Sequence, residues 1–484
     1  MKRYNLFPCS GRYASKDKLS RREMLAKSAG GLGGLALSSL LGSSVAQAAG
    51  GGHGGTFDLK TKAPPFAPKA TSIIFLYMGG GPSQVDLFDP KPALTKYDGK
   101  PIPMDVDQRD LYGTAKVMAS PFSFAKHGEC GAEVSELLPH LSTVVDDIAI
   151  VRSGVTTRID HGEALLMMHT GRPIAGFPTI GSWITYGLGT ENENLPAYVA
   201  MADSKPYRVR MATSSAFLPA LCQATPMNWE GGGDPFAFLN PPTERTDAAI
   251  RQRQFLNLTQ ALNRTHYESR RELNELDARI QNFELAARMQ VEAMESVDIS
   301  KESEATKKLY GIGEGVTNDV GMRCLLARRL VESGVRFVHI MRTDWDHHAN
   351  LSKQLPQSCL EVDKPVVGLL RDLKSRGLLD STLVVWTGEF GRMPVVEAID
   401  GRDHNPHGFS FWMAGGGIKP GITYGETDEF GYRAVTDPVS VHDLHATMQH
   451  LMGLDPDENL FSFEGRDETL TGVEKARVVE PLLA

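Results

Sequence analysis

The chain has 484 residues, 41% of them hydrophobic, and a formal net charge of −8. That hydrophobic content supplies an ordinary globular core, and the length allows one large domain with insertions, or two domains. The acidic excess argues against nucleic acid as the main partner.

The first elements in chain order form an export signal. Arg21-Arg22 and Lys27 precede an apolar, Gly-rich stretch from Ala29 to Val45, and Ala46-Gln47-Ala48 follows with small residues. A basic region, a short apolar region and an A-x-A site make a secretory signal, and paired arginines point to the twin-arginine route. The apolar stretch is short for a membrane anchor and rich in Gly and Ser. Residues 1–48 are therefore expected to be cleaved, leaving a periplasmic or otherwise exported protein. No later apolar run is long enough to span a bilayer, so no integral membrane segment is expected after cleavage. Eight basic and two acidic residues belong to the signal, leaving 43 against 57, a net charge of −14. On such a surface a polyanionic substrate needs a local positive site, such as a metal ion.

Residues 49–69 read as a linker, and 70–484 as one α/β domain. Thr71 to Met78 is a continuous apolar run, as a parallel strand buried on both faces requires. It opens into Gly79-Gly80-Gly81-Pro82, with Asp86 soon after. Pro90 to Cys130, rich in Pro, Gly and Lys, reads as a surface excursion. Asp147 to Arg152, Leu195 to Met201, Val335 to Met341, Thr382 to Thr387 and Phe409 to Ala414 are the further expected strands. Helical spacing marks Val316 to Ser333, Lys353 to Arg376 and Val441 to Met452, each closed by a glycine. Strands alternating with such helices predict a doubly wound, mostly parallel sheet with helices on both faces. Residues 244–310 lack a strand signal and predict a helical insertion. Cys130, Cys222, Cys324 and Cys359 form no CxxC pair, and disulfides and buried thiols read equally well.

The candidate site residues cluster behind the expected strands. Asp344 to His348 sets two carboxylates and two imidazoles just past Val335–Met341. Open α/β sheets build sites at such strand ends, and carboxylate and imidazole are common ligands of divalent ions. Asp346, His347 and His348 are candidate ligands, with Asp403 and His404 from the Asp403-His404-Asn405-Pro406-His407 segment. Glu389, between glycines after Thr382–Thr387, is a further candidate ligand or the acid of a surface turn. Arg392 offers a planar fork for an anionic ester. Asp160-His161-Gly162-Glu163 opens a helix, where His161 reads as ligand, general acid/base or cap. Arg172 follows that helix as a second candidate anion clamp. His442, Asp443 and His445 read as caps and surface hydrogen-bonding groups.

The ordered motifs GGGPSQVDLFDPKP, MMHTGRP, WDHHAN, TLVVWTGEFGRMP, GRDHNPHGFSFWMAGGGIKPG and VHDLHATMQHLMGLD, from about Ala70 to Asp455, resemble the domain-of-unknown-function family numbered 1501. That family is similar to the sulfatases within the alkaline-phosphatase-like superfamily. The resemblance implies that superfamily's sheet, one or two divalent ions (zinc, calcium or magnesium), and transfer of phosphoryl or sulfuryl groups. Asp86 then stands where the superfamily commonly places a metal-binding aspartate. Sulfatases carry a Cys or Ser nine positions before the Thr of TGR, and here that position is His161. Leu165 replaces the arginine that follows the nucleophile. Ser83 or Thr157 is a possible substitute, and metal-bound water is another. The expected function is metal-dependent hydrolysis of a small-molecule or glycan sulfate or phosphate ester. The alternative is an exported binding protein that keeps the fold without the nucleophile. The oligomeric state is left open.

Overall fold

The computed structural model describes residues 57–107, 115–202, 210–227 and 296–484, with isolated positions between 254 and 285. The signal, the first part of the linker and most of the helical insertion before residue 296 lie outside the described residues.

A nine-stranded sheet organises the domain. Its strands are β1 (Ser72–Met78), β2 (Ile148–Val155), β3 (Tyr198–Ala202), β4 (Thr225–Pro226), β5 (Phe337–Arg342), β6 (Thr382–Thr387), β9 (Phe409–Ala414), β10 (Ile422–Tyr424) and β11 (Val439–Ser440). Two short strands, β7 (Gly391–Arg392) and β8 (His404–Asn405), form a separate ladder. The order across the sheet is β10-β2-β9-β6-β1-β5-β3-β4, and β11 also pairs β2. Only β9 runs antiparallel to its neighbours. All six strands expected from the sequence are present, with ends shifted by up to three residues.

Central β1 shows why a continuous apolar run was needed. Ile74, Leu76 and Met78 enter one core, and Ile73, Phe75 and Tyr77 enter the other. Successive side chains point to opposite faces, so a strand covered on both sides has no polar face. Helices α3 (Asn318–Glu332) and α4 (Leu351–Ser375) pack the first core. Helices α1 (His161–Thr170), α2 (Ile180–Leu188) and α5 (Val441–Leu451) pack the second. The sheet is thus mixed but mostly parallel, with helices on both faces.

Helix starts and stops follow local chemistry. Asp160 caps α1 by accepting from the Gly162 and Glu163 amides, and Gly171 closes it at φ 67°. Such a positive φ costs a glycine little. Ser440 and Asp443 form a reciprocal capping box at α5. His445, one turn further on, is fully buried and bonds the Met168 carbonyl, so it is no surface group. The stretch from Pro90 is not wholly an excursion either. Leu94 and Val117 are buried in a small core with Val85 and Phe430. Cys222, Cys324 and Cys359 are buried free thiols, and Cys130 is exposed and free. Among the described residues no helix is long and apolar enough to cross a membrane.

Candidate metal centre

The parallel register aligns three strand ends. Met78 pairs with Arg342, and Tyr77 with Thr387. The loops leaving β1, β5 and β6 therefore emerge together, and the start of α1 meets them. Two glycines make the approach possible. At Gly80, with φ +120°, an added Cβ would lie 2.5 Å from the Asp346 amide nitrogen. At Gly401 it would lie 1.9 Å from the His348 carbonyl oxygen. No side chain fits at either position.

Four side chains converge on this rim: His161, Asp346, His348 and His404. One ligand atom from each lies within 4.8 Å of all the others. Asp346 Oδ1 is central, 3.1 Å from His161 Nε2, 2.9 Å from His348 Nε2 and 3.6 Å from His404 Nε2. The outer nitrogens are all held by oxygen. His161 Nδ1 lies 2.7 Å from Glu389 Oε1, His348 Nδ1 2.5 Å from Glu397 Oε2, and His404 Nδ1 2.7 Å from the Ile159 carbonyl. A ring that donates Nδ1–H to oxygen turns a bare Nε2 lone pair inward. That is how metal-binding histidines are usually oriented.

The same pattern leaves a conflict within the protein alone. His348 Nε2 and His404 Nε2 face each other at 2.9 Å. With both Nδ1 atoms protonated, two lone pairs meet there, and either a proton or a cation must stand between them. His161 Nε2 is buried and, among the described residues, faces only Asp346 Oδ1, at 3.1 Å. A tetrahedral zinc ion, with ligands at about 2.0–2.1 Å, sets its ligand atoms roughly 3.3 Å apart. Four of the six separations, 2.9–3.6 Å, bracket that value, and all six lie within 4.8 Å. Three imidazoles and a carboxylate thus fit a divalent cation in type, orientation and spacing.

In the protein alone the same groups shift one another's charges. Burial works against the His161 charge, but Asp346 and Glu389 outweigh it and lift its pKa to about 9. Hydrogen bonding to Asp346 likewise raises His348, against burial. Burial lowers His404, and Asp346 only partly compensates. Burial opposes the Asp346 charge, yet its histidine partners and Arg392 hold the carboxyl far below the usual carboxylate range. Metal and proton compete for such nitrogens.

Arg392 is buried and spends its guanidinium inside the protein. It donates to the Gly81 carbonyl at 3.0 Å, the Arg402 carbonyl at 2.9 Å, Asp346 Oδ1 at 2.6 Å and the Gly80 carbonyl. It staples the glycine loop to Asp346 and is not a free anion clamp. Several other expected roles change as well. Arg172 lies just past the far end of the ten-residue helix α1, roughly 15 Å from its start. Its guanidinium bonds the Thr471 carbonyl and stacks on Phe177, so it does not reach the rim. Asp86 is fully buried and gives both oxygens to Arg402, at 2.7 and 3.1 Å. His347 turns inward, 3.3 Å from Ser358 Oγ, and burial lowers its pKa to about 4. Glu389 stands behind His161 and also accepts from the Gly80 amide at 2.9 Å. Asp403 caps the His404 amide at 2.8 Å and joins a second group with His348 and Glu397. Ser83 is buried against Asp86, and Thr157 is exposed. Sequence reasoning missed Glu397 and the Ile159 carbonyl, and no motif marks either.

Glu389→Gln should keep the shape behind His161 and weaken its hold on the ring. The expected result is a metal affinity lower by about 10- to 100-fold, the usual cost of losing such a partner. Competition with a chelator measures it, and an unchanged affinity would show that Glu389 does not tune the site.

Comparison with known proteins gives the following. No curated protein matches the chain. Among solved structures, the PsFucS1 sulfatase from Pseudoalteromonas sp. is 12% identical with a TM-score of 0.36, covering 84% of this chain and 72% of that one. The alkaline phosphatase from the Antarctic bacterium TAB5 is 12% identical with a TM-score of 0.34, covering 80% and 99%. The phosphonate monoester hydrolase SpPMH from Silicibacter pomeroyi is 13% identical with a TM-score of 0.31, covering 72% and 71%. A family model described as "Protein of unknown function (DUF1501)" matches residues 70–483. The chain whose strand ends gather His161, Asp346, His348 and His404 therefore belongs to the DUF1501 family.

Proposed function

We propose that this protein is an exported, metal-dependent hydrolase of sulfate or phosphate esters. The carrying observation is the convergence of His161, Asp346, His348 and His404, each imidazole held from behind by an oxygen. A divalent ion held by His161, Asp346, His348 and His404 would supply Lewis-acid chemistry at an ester oxygen. The protein's own groups prepare that chemistry. Glu389, Glu397 and the Ile159 carbonyl fix the ring orientations. Arg392 keeps Asp346 ionised and in place. Asp346 has 43% of its side chain exposed, so the centre opens to solvent and to a substrate. The ester class rests on the sequence motifs, and an anionic ester on an acidic chain needs a centre of this charge. A small-molecule or glycan ester suits an exported enzyme.

A second reading is a non-catalytic exported binding protein that keeps the cation. It is favoured by the position where sulfatases carry Cys or Ser. Here that position is His161, and it is committed to Asp346 and Glu389. Assay of the metal-loaded protein on aryl sulfate and aryl phosphate esters separates the readings. Turnover that a chelator abolishes supports the hydrolase. A loaded protein inert on both supports the binding reading.

Export has its own test. Arg21→Lys with Arg22→Lys is expected to hold the unprocessed chain in the cytoplasm, read by fractionation and by the mass of the product. Processing and export that persist in the double variant would rule out the twin-arginine route.

A further inference from the structure

On this acidic chain positive charge gathers in one recess. Lys364, Val367, Gly368 and Arg371 lie three or four residues apart on α4, so they share one stripe of that helix. The short helix Glu304–Leu309 brings Lys308 and Leu309 to the same stripe. Between the two helices, beside His140, is a cavity of about 310 Å³. Its floor is apolar. Val367 is buried there, and an added Cβ on Gly368 would lie 2.6 Å from the Leu309 carbonyl oxygen, so the helices meet backbone to backbone. The volume is that of a site for a small molecule.

The walls carry three fixed positive charges, Lys308, Lys364 and Arg371, and the His140 imidazole. The neighbouring acids are spent elsewhere. Asp363 accepts the His140 and Leu141 amides at 2.7 and 2.8 Å. Asp372 holds the Tyr310 hydroxyl, Arg328 and Arg376. Glu304 pairs with Lys307 at 2.9 Å. Glu314 pairs with Lys364, and that hydrogen bond, helped by Lys308 and His140, holds its carboxyl below the usual value. Among the described residues no carboxylate pairs with Lys308 or Arg371, and Arg371 donates to Thr143 Oγ1 at 2.7 Å instead. Three cations against one acid make a net positive recess on a chain whose mature charge is −14. The recess lies apart from the rim. Lys364 to Arg371 follow the start of α4 at Leu351 by 13 to 20 residues, roughly 20–30 Å along the helix.

We propose that this cavity binds a small organic oxyanion, a phosphate, sulfate or sulfonate group on a compact apolar body, at a site separate from the metal centre. The planar Arg371 fork and the Lys308 ammonium hold the oxygens. Lys364, already paired with Glu314, adds charge from the side. The apolar body covers Val367 and Leu309, and the enclosing helices leave room for one small molecule. The occupant is therefore a soluble anion.

Calorimetric titration of the full mature protein with benzenesulfonate is the test, since a sulfonate is not an ester and survives the metal centre. Saturable binding of one equivalent is expected. Lys308→Gln with Arg371→Gln is expected to weaken it by about 10- to 100-fold, the cost of losing charge-assisted contacts. Inorganic sulfate, without the apolar body, and benzenesulfonamide, without the charge, are each expected to bind more weakly. Glu314→Gln removes the one acid and is expected to tighten binding several-fold. All three substituted side chains are exposed, so the variants should fold. Binding that the double variant leaves unchanged puts the anion elsewhere and overturns the proposal. Absence of saturable binding overturns it too, as does a protein that sediments with phosphatidylglycerol vesicles and takes up no soluble sulfonate. None of these results bears on the metal centre or on ester hydrolysis.

Discussion

Asp346→Ala is expected to weaken divalent-metal binding at the rim by at least about 100-fold, beyond what loss of a supporting partner costs. Asp346 Oδ1 is the atom on which the site is built. It lies 2.9 Å from His348 Nε2, 3.1 Å from His161 Nε2 and 2.6 Å from Arg392 Nη2. Alanine removes a ligand and the only carboxylate among the four groups. It also leaves the buried Arg392 guanidinium without its carboxylate partner, and the acids that remain near the rings, Glu389, Glu397 and Asp403, stand behind them. A cation entering there meets like charge where it now meets an acid. The side chain is 43% exposed, so its loss should leave the fold intact, and circular dichroism is expected to match the wild type. Elemental analysis after dialysis against a weak chelator is the measurement. An alanine variant that keeps its metal through dialysis would mean the rim is not the binding site. Asp346→Asn separates charge from shape, and it is expected to behave more like alanine than like the wild type.

The largest effect on stability is expected at the Asp86–Arg402 pair. Both side chains are fully buried, and the two contacts of 2.7 and 3.1 Å make a bidentate pair. Arg402 also donates to the Met393 and Met118 carbonyls, at 3.2 and 3.1 Å. Arg402→Ala strands the Asp86 carboxylate without its partner. Removing one member of a buried pair typically costs about 3–5 kcal/mol, most of it the desolvation of the abandoned charge. The expected result is a lower urea midpoint at unchanged slope. Replacing both members, Asp86→Leu with Arg402→Met, should recover much of that loss, since no charge remains to be solvated. A single variant as stable as the wild type would show that the pair contributes little.

The two variants act at neighbouring points with different outcomes, and the reason is solvent. Asp346 faces water and arranges a ligand. Asp86 is sealed behind the glycine loop and arranges the loop itself. One sequence pattern, an acid shortly after a strand, supports both roles. Asp86 follows β1 in the helical turn Gln84–Leu87, which aims the carboxylate inward at Arg402. Asp346 follows β5 in an irregular loop that turns at Asp344, with φ 75°, and leaves the carboxylate at the rim.

Adjacent histidines make the same point. His347 and His348 were equal candidates as letters. In an extended loop successive side chains point apart, so only one of them can face the centre. The structure sends His348 to the rim and packs His347 beside Ser358. Arg392 and Arg172 had the right chemistry for holding an anion, yet their neighbours consume it. Carbonyls from four residues and Asp346 engage Arg392, and Thr471 and Phe177 hold Arg172. Glu397 escaped notice because a lone acid in a loop carries no pattern until folding places it beside an imidazole.

What the amino-acid order determined alone was the scaffold and the place where chemistry gathers. Continuous apolar runs such as Thr382–Thr387 can be satisfied only by burial on both faces, and glycines after helical stretches end them. These are local constraints, readable within a few residues. The tertiary structure alone decided which polar groups meet. His161, Asp346, His348 and His404 come from three separate segments, brought together because parallel strands end in register and Gly80 and Gly401 let backbones touch. Orientation at that range depends on the packing of the whole domain, and no window of sequence contains it.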